Sequence, residues 1–346
     1  MGRHRLLLVG CVCACGTNFM MTVVRKIMNE QLASLSSKLK LDNLKLGNRS
    51  VLGIPYLWLI VFFALPVLIL LRISLTDMGT GIDPFAQMLF NTDGKWRLIL
   101  KVENYLSVFR EEPGSPWLNT IYVEAYWLSI RYAFFTTVLC LLIGYPFAYF
   151  IARSKPEHRP IYLILIMLPF WTSFLLRVYA WKGILADEGV VNRALMGIGL
   201  IDQPIVMLYT NVSMLVGMTY VYLPFMVLPL YANLVKMDVR LLEAAHDLGA
   251  GPWKAFWLIT VPLSRSGIVA GCMLVFIPCV GEFVIPSLLG GADNIMIGRV
   301  VWDEMFSANN WPRASALAII MIMVVIAPLL WLQHATTVSG QEEKRK

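Results

Sequence analysis

Two groups of polar side chains interrupt the long apolar runs of this sequence, and each suggests its own chemistry. Glu282 follows an apolar stretch that begins near residue 265, so it is the acidic residue placed deepest among nonpolar side chains. An ionisable group in such a setting is costly and faces a cavity, a cation or a partner. Arg177 and a backbone group near Pro278 are the candidate structural partners. The second group is Glu243-Ala244-Ala245-His246-Asp247-Leu248-Gly249, continuing to Ile259-Thr260-Val261-Pro262. At helical spacing, Leu241, Ala245 and Leu248 share one stripe, and Arg240, Glu243 and Asp247 share another. Such a helix offers a charged face to water or to a partner protein. His246 reads as a packing or solvent-facing residue rather than a ligand.

Other chemistries lack their residues. No G-x-x-x-x-G-K-[ST] phosphate loop occurs, and the nearest fragment, Gly94-Lys95, lacks both the first glycine and the hydroxyl residue. The chain itself is therefore expected to bind no nucleotide, no other cofactor and no metal. Cys140, Cys272 and Cys279 lie in apolar runs, and Cys11, Cys13 and Cys15 have neither C-x-x-C spacing nor accompanying histidines. The net charge of +7 is not gathered into a basic patch, which argues against nucleic acid.

The elements that must position these residues are membrane-spanning helices. Of the 346 residues, 58% are apolar and only 15% charged, and the mean hydropathy is +0.66. The apolar residues come in runs long enough to cross a bilayer, which predicts an all-α polytopic protein with six spans, at 52–73, 128–151, 161–182, 212–235, 265–288 and 314–333. A basic, flexible extension (1–50) precedes the spanning domain (51–335), and a short tail (336–346) follows. The run Leu6–Cys11 imitates a lipoprotein signal, but its apolar core is shorter than the about 7–15 residues such signals use. Met20, Met21 and Met28 offer alternative starts.

Orientation follows from Lys and Arg. Eight lie in the first 50 residues, three in 152–160, four in 236–265 and three in the tail. The alternate loops hold only Lys95, Arg97, Lys101, Arg110, Arg193, Arg299 and Arg313, with Lys182 at their edge. The positive-inside rule then puts both termini and the loop 236–262 in the cytoplasm. Loop 76–127 is external, carries seven acidic residues, and is long enough to hold structure or a partner contact. Within the cytoplasmic loop, Asp238 is a plausible N-cap. Gly249 suits a left-handed helix end, and Gly251-Pro252 suits the start of a second helix bearing Trp253, Phe256 and Trp257. The pattern is a helix-turn-helix on the membrane surface.

Glu243-Ala244-Ala245, Gly249, Ile259 and Pro262 resemble the EAA loop of binding-protein-dependent ABC importer permeases, with Val261 where that pattern has leucine. Trp171-Thr172-Ser173-Phe174, Arg177-Val178-Tyr179-Ala180-Trp181, Leu223-Pro224-Phe225 and Gly281-Glu282-Phe283-Val284-Ile285-Pro286 resemble permeases of the spermidine/putrescine importers. So do Leu288-Leu289-Gly290-Gly291 and Ile297-Gly298-Arg299-Val300, and the resemblance covers roughly 50–333. The fragment around Glu282 is more similar to the putrescine permease.

The resemblance implies an inner-membrane subunit that pairs with a second, homologous permease. Beneath the pair sit two copies of an ABC ATPase, which carry the ATP and magnesium, and outside it a periplasmic polyamine-binding protein delivers substrate. The coupling residues would be Glu243, Ala244, Ala245, Asp247, Gly249 and Pro262. Glu282 would suit a dicationic diamine on the translocation path. Trp171, Tyr179 and Trp181 could offer aromatic faces to an ammonium, although aromatics are also normal at membrane interfaces, where they contact lipid. Asp187 and Glu188, in an external loop, could meet either the cation or the binding protein. Arg177 reads as snorkelling to headgroups, with docking of the binding protein as the alternative. An ion-coupled secondary transporter would require inverted repeats, and none is evident between 52–182 and 212–333. A membrane enzyme would need more than one acidic residue at depth.

Overall fold

The computed structural model describes residues 48–79, 84–86, 89–92, 95–98, 100–110, 120–292 and 294–343. Most of the amino-terminal extension, the triplet Cys11, Cys13 and Cys15, Gly94 and the last three residues lie outside that set. The chain divides into a unit ending at Pro66 and a second running from Val67. Helix α1 (Asn48–Ser74) begins in the first unit and contains Pro55 and Pro66. Its run Leu57-Trp58-Leu59-Ile60 is apolar in every direction around the helix, as a lipid-facing span requires.

The second unit opens with an antiparallel hairpin, β1 (Leu89–Thr92) and β2 (Lys95–Leu98), in which Leu89 pairs with Leu98 and Thr92 with Lys95. This hairpin and an isolated bridge between Met78 and Phe85 are small additions to a mostly helical chain. Short helix α2 (Glu103–Phe109) follows. Asn104 donates to the carbonyls of Ser74 and Thr76, which closes the turn that leads out of α1.

The core is built by three helices: α3 (Thr120–Arg153), then α7 (Asn211–Leu234), then α11 (Arg265–Val280). Between α3 and α7 the chain forms α4 (Arg159–Met167), a 3₁₀ turn (Leu168–Trp171), α5 (Phe174–Leu185) and α6 (Val190–Gly197). Ala133, Cys140, Met218, Met226, Leu230, Val275 and Cys279 are fully enclosed in the core. Small residues let the helices approach. A Cβ on Gly271 would lie 2.7 Å from Met226 Sδ, and one on Gly267 would lie 2.7 Å from Asn233 Cβ. Close approach at small residues is how helices gain packing energy where lipid removes the hydrophobic drive.

Three helices are long and apolar enough to cross a membrane unbroken: Pro55–Ser74, Ile121–Arg153 and Asn211–Leu234. Two helix pairs are bent at a short break, and they bring the number of apolar spans to as many as five if each pair crosses as one. Arg159–Trp171 meets Phe174–Gly197 at 89°, and Pro252–Leu263 meets Arg265–Val280 at 66°. Trp311–Ala327 is a shorter apolar stretch. Three of the six expected spans are thus seen as unbroken apolar helices, and the expected spans 161–182 and 265–288 fall on bent stretches of chain. The expected span 161–182 breaks because Pro169 lacks an amide and Thr172 turns extended, its hydroxyl donating to the Pro169 carbonyl at 2.7 Å. The expected span 265–288 stops at Val280, and the chain resumes as α12 (Val284–Leu289). Hydropathy windows see apolar content but not bends.

Candidate functional site

The polar loop is built as a helix-turn-helix. Asp238 Oδ1 accepts from the Arg240 amide at 3.0 Å, so its carboxylate caps α8 (Arg240–Asp247) as expected. At the other end Gly249 has φ +80°. Its amide donates to the His246 carbonyl, and the Ala250 amide donates to that of Ala245, both at 2.9 Å. These two bonds form the Schellman closure that a left-handed glycine permits. His246 Nδ1 lies 2.9 Å from the Ala250 carbonyl, which calls for the proton on Nδ1.

Pro252 then starts α9 (Pro252–Ala255), which passes through a π turn (Phe256–Thr260) into α10 (Val261–Leu263) and, after Ser264, into α11. Ala245, Ala255 and Thr260 are buried and seat the loop, and Phe256 sits edge-on to Tyr145 and Tyr149 of α3. Glu243, Ala244, Asp247, Gly249 and Pro262 are all exposed. The apolar stripe is only partly seated. Ala245 is 7% exposed, whereas Leu248 is 89% exposed and Leu241 is also open. The shared stripe read from the sequence does not separate the buried member from the open ones. The helix instead presents Leu241, Glu243 and Leu248 together with its acidic residues on an uncovered surface.

The second constellation lies at the break between α11 and α12. Glu282 is 9% exposed. Its Oε2 accepts from the Tyr222 hydroxyl of α7. Its Oε1 accepts from the amides of Val284 at 3.0 Å and Ile285 at 3.4 Å. Three donors around one carboxyl group are the surroundings of an anion, and two of them are the free amides that begin α12. Helix α13 (Ile297–Trp302) crosses directly over this break. A Cβ on Gly298 would lie 2.4 Å from the Gly281 carbonyl oxygen and 2.9 Å from that of Glu282. Trp302 then stacks on Phe283 at 4.9 Å. The chain closes with α14 (Trp311–Glu343).

Neither structural partner expected for Glu282 is the observed one. Arg177 stacks over Phe170 at 5.0 Å and Phe174 at 5.8 Å, with Nε and Nη1 buried and unpartnered among the described residues. Rings nonetheless connect the two breaks: Phe170 meets Phe225 at 5.1 Å, and Phe225 meets Tyr222 at 6.2 Å. Trp181 packs edge-on to Tyr220 of α7 at 5.3 Å, and Lys182 lies over Tyr209. Trp171 and Tyr179 are 79% and 56% exposed, and among the described residues no ring contact joins either to the Glu282 group. Asp187 and Glu188 are exposed in the turn between α5 and α6. Tyr222, Phe170 and Phe225 were missed by sequence reasoning. The one available signal was a tyrosine two residues before Pro224 in an otherwise apolar run. Among the described residues, no three His, Cys, Asp or Glu side chains converge as a metal site would require.

Residues 144–336 match the family described as the inner membrane component of binding-protein-dependent transport systems. The chain is 38% identical to the spermidine/putrescine transport system permease protein PotB of Haemophilus influenzae over 283 residues, 82% of this chain and 91% of that one. It is 37% identical to PotB of Escherichia coli K12, covering 79% and 92%. Among solved structures it resembles a chain of a bacterial ABC transporter that imports the acidic polysaccharide alginate, with a TM-score of 0.56 at 18% identity over 88% of this chain and 98% of that chain. That likeness concerns the fold.

Proposed function

This chain belongs to the inner membrane components of binding-protein-dependent transport systems, as a polyamine-type ABC importer permease, and from that premise we propose that it forms half of the path of an ATP-driven putrescine importer. The observation that carries the proposal is the match to spermidine/putrescine permeases over about four-fifths of its length. Spermidine is the alternative cargo, favoured by the same relatives, whose names carry both polyamines.

In this reading α8 is the coupling helix. Glu243 meets a basic or amide group on a cytoplasmic ATPase, and Leu241 and Leu248 enter the same contact, which accounts for their exposure. Buried Ala245 and half-buried Phe256 carry the ATPase's motion to α3 and α11, against which the loop is seated. The assembly holds a second homologous permease, two ATPases carrying ATP and magnesium, and a periplasmic polyamine-binding protein. Both termini of this chain are cytoplasmic.

Glu282 supplies the negative charge that an alkyl diammonium needs at depth. Its placement at the break of the fifth span, beside the Tyr222 ring, lets a shift of α12 expose or withdraw the carboxylate. The test is uptake into sealed vesicles containing this chain, its partner permease, the ATPase and the binding protein. ATP-dependent accumulation of putrescine, with spermidine as competitor, is expected. Uptake by this chain alone, driven by an ion gradient, would overturn the assignment.

A further inference from the structure

The inner end of α3 and the second arm of the polar loop enclose an open cleft of about 380 Å³, lined by Tyr145, Pro146, Tyr149, Pro252, Trp253 and Phe256. Tyr145, Tyr149 and Arg153 stand at i, i+4 and i+8 on one face of α3, so Arg153 follows Tyr149 by one turn. Arg153 Cζ sits 5.4 Å above the Tyr149 ring, and Nη2 is buried without a hydrogen-bond partner among the described residues. A buried unpaired donor on a charged group is expensive and is met by an anion when one is at hand. The Tyr145 hydroxyl is already engaged with Ser264 at 2.9 Å. The cleft thus has four aromatic walls and two prolines, with the Arg153 guanidinium stacked on one of those rings.

We infer that this cleft binds one anionic phospholipid, with its phosphate on Arg153 and an acyl chain between Tyr145, Tyr149, Trp253 and Phe256. The inference rests on the proposed orientation, which puts this end of α3 at the inner leaflet. A peptide segment would bring amides and carbonyls that these walls cannot satisfy, whereas an acyl chain brings none. The two segments that meet here carry Arg153, Lys155, Arg159, Lys254 and Arg265 against the single acid Glu157, a local charge that attracts anionic headgroups. Trp253 (74% exposed), Trp257 and Leu258 project from the same arm, as in a helix lying in the membrane interface. Lipid composition would then tune the stiffness of the arm that joins α8 to α11.

The full chain, purified in detergent, is offered phosphatidylglycerol or phosphatidylcholine of matched acyl chains, and retained lipid is read by native mass spectrometry. One phosphatidylglycerol is expected to stay bound in preference to phosphatidylcholine. Arg153→Gln should lower its retention about tenfold, the scale of a charge-assisted hydrogen bond, while Arg153→Lys keeps most of it. Equal retention of the two lipids, or no change in Arg153→Gln, overturns the proposal. Displacement of the lipid by inorganic phosphate alone, or by the ATPase subunit, also overturns it, by making the cleft a site for free anions or for the partner. If Arg153→Gln does not fold, quenching of Trp253 by brominated lipids, taken as the difference between wild type and Trp253→Phe, reads the same preference. These assays need neither ATP nor transport, so failure of the importer reading would leave them standing, and the reverse.

Discussion

The chain is interrupted at Gly249–Pro252 and again at Gly281–Phe283, and the two interruptions satisfy their backbone groups by opposite means. At the first, the free carbonyls of α8 are closed locally by the amides of Gly249 and Ala250, and the side chains stay in the open. At the second, the free amides of α12 are met by a buried carboxylate, which in turn needs a hydroxyl from a helix sixty residues earlier. A break that faces water can be written in consecutive residues. A break inside the packed helices requires a partner from elsewhere in the fold. The first kind of site can therefore meet another protein without disturbing the fold. The second links any change of its carboxylate to the packing of α7, α12 and α13.

The sharpest way to break this contrast is charge reversal at the exposed site. Glu243→Lys is expected to reach the membrane in normal amounts, because no hydrogen bond or ion pair among the described residues uses that carboxylate. Uptake should fall by about a hundredfold, the scale of a reversed charge at an interface, and the ATPase should no longer co-purify. Membrane immunoblots and uptake assays read the two halves separately. Normal transport would remove α8 from the coupling role.

The buried site should respond differently. Glu282→Gln keeps an acceptor for the Val284 and Ile285 amides, and its NH2 can donate to the Tyr222 oxygen, but the charge is lost, so putrescine uptake is expected to fall about tenfold while the protein still folds. Glu282→Ala strands the Tyr222 hydroxyl and two amides, and should cost about 1–3 kcal/mol of stability per group left unmet. Unchanged transport kinetics in Glu282→Gln would leave the carboxylate as a helix cap and nothing more. Gly298→Ala probes the same site from above, since its Cβ would stand 2.4 Å from the Gly281 carbonyl. The backbone of α13 must move, with an expected loss of about 1–3 kcal/mol in thermal unfolding.

What could be read in advance follows the same division. The capping by Asp238, the left-handed Gly249 and the restart at Pro252 were legible, because each depends on residues within a few positions. The exposure of Leu241 and Leu248 was not, since a periodic apolar stripe looks the same whether it meets its own core or another protein. Glu282 was recognisable as a buried acid from its apolar neighbourhood. Tyr222 as its partner was not, because no local rule relates positions sixty residues apart. The bends at Thr172–Ser173 and Ser264 were likewise hidden by continuous hydropathy. Pro169 signalled a break, but a proline in a span does not by itself give an angle of 89°.

An ion pair in water completes the comparison, and its effect should be the smallest. Lys101 donates to Asp77 at the exposed turn beyond α1, which holds the Asp77 carboxyl below its ordinary value of 3.8. The same hydrogen bond raises Lys101 above 10.5. The carboxyl's contribution is in place above pH 3.8 and is lost as pH falls through its lowered folded value. The ammonium's contribution is in place below pH 10.5 and is lost as pH rises through its raised one. Between those limits both groups are charged and stability should be flat with pH. Because the pair is solvated, Asp77→Asn is expected to shift the melting temperature by under about 2 °C at neutral pH, with even less effect in high salt. If Asp77→Asn instead matched Glu282→Gln in its effect on uptake, the exposed acid would belong to the proposed cation path, and burial would not be what sets the two carboxylates apart.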